Sequence, residues 1–141
     1  MIIQTQPPAA GEAAPLRVFL VEDSRTVREL IIEHLSDIDG IEFSGFAETE
    51  DDAVIELRSN CFDVVILDIE LRQGNGISVL RSLAETLTLQ GSVKIIFSNN
   101  VSNAYRRIGA QYGIHYFFDK TTELPRLHAL LAQIRLGTGQ K

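Results

Sequence analysis

Asp68 closes the apolar run Asp63-Val-Val-Ile-Leu-Asp68, and three other segments end in polar groups of complementary chemistry. Glu22 and Asp23 follow Val18-Phe-Leu-Val21, Ser98 follows Val93-Lys-Ile-Ile-Phe97, and Lys120 follows Tyr116-Phe-Phe118 and Asp119. If these runs are parallel strands of one sheet, all the polar groups gather at one edge of it, outside the carboxyl ends of the strands, where open α/β sheets bind ligands. Three neighbouring carboxylates repel one another, so an oxygen-preferring divalent cation offsets their charge. A hydroxyl and an ammonium beside them suit a phosphoryl group. Asp68 is therefore a candidate phosphate acceptor, acting as a carboxylate nucleophile.

Such a site requires elements that alternate. Short β-branched or aromatic runs at 18–22, 41–47, 63–67, 93–97 and 116–118 are separated by segments of helical period, the pattern of βα units around a parallel sheet. The apolar density of the runs predicts strands covered on both faces. The first helix follows a Ser24 cap and repeats Val27, Leu30, Ile31, His34 and Leu35 on one face, with Gly40 helping to end the unit. Thr49 with Asp52 forms a capping arrangement for a second helix that turns Ala53 and Leu57 inward. Ile77, Leu80, Ala84 and Leu87 mark a third helix, and Tyr105, Ile108 and Tyr112 a fourth beginning near Ser102. Leu127, Leu130, Leu131 and Ile134 mark a fifth, with Pro125 in its first turn, where a missing N–H loses little.

The chain has 141 residues, 45% of them hydrophobic and 23% charged, which fits one domain with a full core. The expected division is a flexible tail over 1–15, a folded domain over 16–136 and a short tail over 137–141. A formal charge of −6 opposes nonspecific attraction to nucleic acid or anionic membrane, so direct nucleic-acid binding is not expected. No stretch has the roughly 18 apolar residues needed to span a membrane. The one cysteine, Cys61, has no internal disulfide partner and is expected as a small buried apolar residue. A chain that relies on its apolar core in this way fits a reducing cytoplasm. His34, His115 and His128 are spread along the chain without ligand spacing and are expected on surfaces or helix faces.

From Arg17 to about Leu136 the order of motifs resembles the receiver domain of two-component response regulators. The resemblance rests on Glu22-Asp23, Leu67-Asp68, Gly76 in the following loop, Phe97-Ser98 and Asp119-Lys120, taken jointly and in order. It implies a flavodoxin-like, doubly wound sheet of five parallel strands in the order 2-1-3-4-5, with five helices. It also implies Mg²⁺, with Mn²⁺ able to substitute, held by Glu22, Asp23, Asp68 and the backbone carbonyl of Glu70. The phosphoryl group would come from a phosphohistidine on a histidine kinase or histidine phosphotransfer protein. Ser98 and Lys120 would contact it, and Phe117, three residues before Lys120, would follow Ser98 inward as the aromatic switch. Glu70 and Asn100 match the positions that tune the lifetime of the phosphoryl group.

The resemblance implies a stand-alone response regulator that is not an enzyme beyond accepting and slowly losing its own phosphoryl group. Its output would act in trans on a downstream protein through helix 4, strand 5 and helix 5, or pair two copies there. Arg106, Arg107, Tyr116 and Phe118 are the candidate contacts on that face. A relay shuttle is the alternative. Three positions depart from the family pattern: the loop 71–76 lacks its usual proline, Thr121 replaces another, and Asn99 stands where a small residue is usual, which would narrow access to the phosphoryl group. A phosphohydrolase of the haloacid dehalogenase type would also use an aspartate acceptor, and Asp68-Ile-Glu70 mimics its motif. Its nucleophile belongs on the first strand, however, where this chain has an acidic pair. A flavin mononucleotide module would need a hydroxyl- and glycine-rich loop where Glu22-Asp-Ser-Arg25 stands.

Overall fold

The computed structural model describes residues 14–84, 86 and 89–139. Five βα units follow in order: β1 (Leu16–Val21), α1 (Arg25–Leu35), β2 (Ile41–Ala47), α2 (Glu50–Ser59), β3 (Val64–Leu67), α3 (Gly76–Ser82), β4 (Val93–Ser98), α4 (Asn103–Gln111), β5 (Tyr116–Asp119) and α5 (Leu124–Gly139). All strand pairings are parallel, and the sheet order is β2-β1-β3-β4-β5. Strand periodicity divides the core in two, because successive side chains point to opposite faces. Phe19, Val21, Val65, Leu67, Ile96 and Phe117 pack on one face with residues of α2 and α3. Val18, Leu20, Val64, Ile66, Ile95 and Phe97 pack on the other with Ile31 and Leu35 of α1 and Leu127 and Leu131 of α5.

The helix signals work locally as their chemistry requires. Ser24 Oγ accepts from the Val27 N–H (3.2 Å), Thr49 Oγ1 from the Asp52 N–H (3.2 Å) and Ser102 Oγ from the Tyr105 N–H (3.3 Å), each satisfying a donor that the first turn leaves orphaned. Gly40 ends the α1–β2 turn at φ +84°, a conformation that favours glycine. Pro125 is the second residue of α5.

Several expectations are corrected. Leu30 is 51% exposed, and the inward place on α1 is taken by Arg28, at 7%. Periodicity alone misassigned this face because Arg28 has ion-pair and carbonyl partners that make its burial tolerable. Strand β2 is largely half-exposed, with Phe46 at 53%, since it lies at the sheet edge with a neighbour on one side only. Helix α3 stops at Ser82, Ala84 is exposed, and Leu87 lies outside the described residues. Cys61 is exposed, in the loop before β3. Helix α5 runs on to Gly139, through residues expected in a tail, whereas 1–13 lie outside the described residues. Among the described residues no helix is long and apolar enough to cross a membrane.

Candidate functional site

The carboxyl ends of the strands are held by sheet-like hydrogen bonds that continue past them. The Asp68 N–H donates to the Val21 carbonyl (2.9 Å), the Glu22 N–H to the Ala47 carbonyl (2.9 Å) and the Lys120 N–H to the Ser98 carbonyl (3.0 Å). The backbone beneath the functional side chains is thus as fixed as the strands themselves. Glu22, Asp23 and Asp68 each offer a carboxylate oxygen, and these atoms lie within 4.8 Å of one another. Lys120 Nζ reaches Glu22 Oε1 and Asp68 Oδ2, both at 2.7 Å, although the two acids are 46 residues apart in sequence. Glu22 Oε2 also accepts from the Ser24 N–H (3.0 Å), so the cap residue of α1 orients the acid two positions before it. Asp68 Oδ1 accepts from the Glu70 N–H (3.3 Å).

The electrostatics follow from this burial. Glu22 is pushed above the ordinary glutamate value by desolvation, which outweighs its bonds to Lys120 and Ser24. For Lys120, burial acts to lower the value, but the hydrogen bonds to Asp68 and Glu22 and their charges reverse it, and the ammonium is held above the usual lysine range. Three carboxylates face one ammonium, and the half-buried Asp23 carboxylate has no hydrogen bond or ion pair with the described residues. This all-oxygen donor set, with an uncommitted member and excess negative charge, fits a hard divalent cation.

The loop after β3 is fitted closely to Asp68. A Cβ at Gly76 would collide with the backbone carbonyl oxygen of Asp68, and the Gly76 N–H donates to Ile69 O (2.9 Å), so only glycine lets α3 begin there. The same loop is tied to α2. Glu50 Oε1 accepts from the Asn75 N–H (3.1 Å), and Gln73 Oε1 from the Asp51 N–H (3.2 Å).

Ser98 is fully buried, and its Oγ accepts from the Asn100 N–H (3.2 Å). Glu70 is exposed and Asn100 half-buried. Asn99 and Thr121, two positions at which the chain departs from the common pattern, join across the ends of β4 and β5: the Thr121 hydroxyl donates to Asn99 Oδ1 (3.1 Å). Phe117 is 9% exposed and lies against Gly109 of α4, with the Arg106 guanidinium 5.3 Å from its ring centre. Arg107 and Tyr116 are exposed. Phe118 is not a surface residue: it is half-buried in the core layer shared with α1 and α5, because it follows Phe117 on the strand and must face the other way.

Sequence reasoning missed Arg28. Its Nη1 donates to the Glu22 carbonyl (2.8 Å) and pairs with Glu48 Oε2 (2.8 Å), its guanidinium lies 4.0 Å from the Phe46 ring centre, and Glu48 in turn holds Arg72 (3.1 Å). Its one sequence signal was a cation on the inward side of α1, which apolar periodicity discards. The histidines sit on helix faces or the surface as expected, yet two of them meet. His34 and His128 are neighbours across α1 and α5, with ring centres 5.6 Å apart, and His128 Nε2 contacts Asp37 Oδ1 (2.8 Å). His115 is exposed and apart from them.

Comparison with known proteins gives one consistent result. The response regulator receiver domain family matches residues 18–132. A protein-glutamate methylesterase/protein-glutamine glutaminase of Myxococcus xanthus is 29% identical over 132 residues, covering 89% of this chain and 38% of that protein. The transcriptional regulatory protein DltR of Streptococcus agalactiae is 32% identical over 130 residues, covering 89% of this chain and 53% of its own length. The chain thus spans about half or less of the curated relatives it matches. The crystal structure of the phosphorylated cyanobacterial phytochrome response regulator RcpA shares the fold, with a TM-score of 0.72 at 21% identity over 86% of this chain and 91% of that one.

Proposed function

The chain belongs to the response regulator receiver domain family, and from that membership we propose that it is a phosphorylation switch whose phosphoacceptor is Asp68. The observation that carries the assignment is the junction of Asp68, Glu22 and Lys120, with Asp23 beside it. Asp68 attacks phosphorus, the bond from phosphorus to the donor histidine nitrogen breaks, and an acyl phosphate forms. Glu22, Asp23, Asp68 and the Glu70 carbonyl would hold Mg²⁺, or Mn²⁺ in its place, and the ion would supply neutralising charge for the phosphoryl oxygens. Lys120, already against Asp68, provides the fixed positive charge on the other side. The group brings roughly −1.5 to −2 charge and three strong acceptor oxygens. Lys120 neutralises part of this charge, and the Ser98 hydroxyl is the donor available from β4. Glu70 and Asn100, whose N–H groups touch Asp68 and Ser98, set how readily water reaches the acyl phosphate.

The output is a change of binding in trans. Ser98 leads into α4, and Phe117 packs under the same helix, so a shift at Ser98 alters the surface formed by Arg106, Arg107 and Tyr116. A separate protein or a second copy of the chain is the partner. The test is labelling with acetyl phosphate, with and without Mg²⁺. Stoichiometric, hydroxylamine-sensitive phosphorylation that requires the cation and disappears in Asp68→Asn supports the proposal. Equal labelling of Asp68→Asn refutes it. Phosphorylation that leaves the α4–β5–α5 signals and partner binding unchanged would make the chain a relay shuttle instead.

A further inference from the structure

Glu22 and Asp23 share one peptide unit, and they are the two acids that the turn between β1 and α1 brings to the cation site. The Glu22 carboxylate is fixed by Lys120 and by the Ser24 N–H. The Asp23 carboxylate has no hydrogen bond or ion pair with the described residues, so the backbone alone sets where it lies. That backbone is held from two sides. The Glu22 N–H donates to the Ala47 carbonyl (2.9 Å), and the Glu22 carbonyl accepts from Arg28 Nη1 (2.8 Å). Because a peptide unit is planar, a bond that fixes the Glu22 carbonyl also fixes the Asp23 nitrogen and the direction in which its Cα departs.

Arg28 is itself firmly placed. Its Nη1 also pairs with Glu48 Oε2 (2.8 Å), its guanidinium lies 4.0 Å from the Phe46 ring centre, and its N–H donates to Ser24 O (3.0 Å) in the first turn of α1. Glu48 directly follows Ala47, so the N–H and the carbonyl of Glu22 are both referred to one point at the end of β2. Stability is a weak reason for burying this cation, since apolar residues of similar volume usually serve as well as a buried ion pair. Its charge has the wrong sign for a cation site, because a guanidinium bonded to Glu22 repels a divalent ion. What arginine supplies and an apolar residue does not is a rigid, planar set of donors aimed at a carbonyl.

Resting on the reading of Glu22, Asp23 and Asp68 as cation ligands, we propose that Arg28 is a positioning residue for that site and that Glu48 holds it in this role. Arg28 orients the peptide between Glu22 and Asp23, so that Asp23 meets the ion without first being ordered. Loss of the guanidinium then has two effects of opposite sign. Weaker Coulomb repulsion favours the ion, whereas a loosened Asp23 disfavours it, and loss of a partner that orients a ligand typically costs about 10–100-fold in metal affinity. Positioning therefore predicts weaker binding where charge alone predicts tighter.

The experiment titrates the full chain with MgCl₂ at pH 7.5, following backbone amide resonances, in the parent, Arg28→Met and the double variant Arg28→Met/Glu48→Leu, with urea denaturation in EDTA alongside. The parent should bind saturably, and Arg28→Met should show a Kd at least about tenfold higher, with the Asp23 amide already displaced before Mg²⁺ is added. The double variant removes both members of the pair and should recover the urea midpoint toward that of the parent, while its Kd stays raised. An unchanged or lower Kd in Arg28→Met would overturn the proposal. So would a Kd that recovers together with stability in the double variant, since Arg28 would then act through stability alone. If Arg28→Met does not fold, the double variant decides by the same criterion. Absence of saturable binding in the parent would overturn the cation site itself and this role with it, whereas a parent that binds beside variants that bind equally well overturns the role of Arg28 only.

Discussion

Replacing Lys120 by methionine keeps most of the apolar stem and removes the charge that holds Glu22 and Asp68 together. Each contact is 2.7 Å long, and all three side chains are at most 13% exposed. At an effective dielectric of about 20, each pair is worth about 6 kcal/mol of gross Coulomb attraction. Desolvation of the ions cancels most of that in the intact cluster, but deleting one member of a buried pair strands the rest, at about 3–5 kcal/mol. Urea denaturation in EDTA at pH 8 should therefore show a loss of about 3–5 kcal/mol in Lys120→Met. The pH dependence has a defined sign. Lys120 has a raised value in the folded chain, so its contribution is fully present below the ordinary lysine value of 10.5 and is lost as pH rises through the higher folded value. Glu22 also has a raised value, so its burial as an ion opposes folding above its ordinary 4.5 and is relieved as pH falls. Without Lys120, Glu22 is raised further and takes a proton sooner, so the deficit should shrink as pH falls from 8 to 5. Mg²⁺ at about a hundred times its Kd adds about 2.7 kcal/mol to any fold that binds it, and the variant, lacking a competing ammonium, should gain more than the parent. A deficit equal at both pH values and indifferent to Mg²⁺ would mean that Lys120 contributes through its stem alone.

Three further variants probe two other contacts. Asn99→Ala or Thr121→Ala removes the hydrogen bond across the β4 and β5 ends. At a net worth of about 1 kcal/mol, its loss should speed labelling of Asp68 by acetyl phosphate about fivefold, and unchanged rates in both variants would show that the bond does not restrict entry. Gly109→Ala should gain about 1 kcal/mol from helix propensity, yet its Cβ would lie 2.5 Å from Phe117 Cζ. Overpacking of about 1–3 kcal/mol should leave the variant no more stable than the parent, with the Phe117 ring displaced in proton spectra. A variant that is clearly more stable and keeps the same ring contacts would refute this packing.

The alternation of β-branched runs with capped, periodic segments was enough to place five strands and five helices, because each signal acts within a few residues. Ser24, Thr49 and Ser102 cap the helices they precede, and Gly76 sits where any side chain would meet the Asp68 carbonyl. Asp68, Glu22, Asp23, Ser98 and Lys120 were legible as a set since a parallel sheet puts every strand end on one edge, whatever the sequence distance between them. Partnership was not legible. That Lys120 bridges Glu22 and Asp68, that Arg28 is buried against the Glu22 carbonyl and Glu48, and that His34 meets His128 all depend on which helix packs beside which strand. Leu30 and Arg28 make the point on one helix. Periodicity assigns the leucine inward, but the ion-pair acceptor for the arginine is Glu48, just past the end of β2, and only its arrival makes burying the cation tolerable. Local sequence sets where elements begin and end and which groups they present; the energies of buried charges depend on neighbours brought from elsewhere in the chain, and those exist only once the layers have closed.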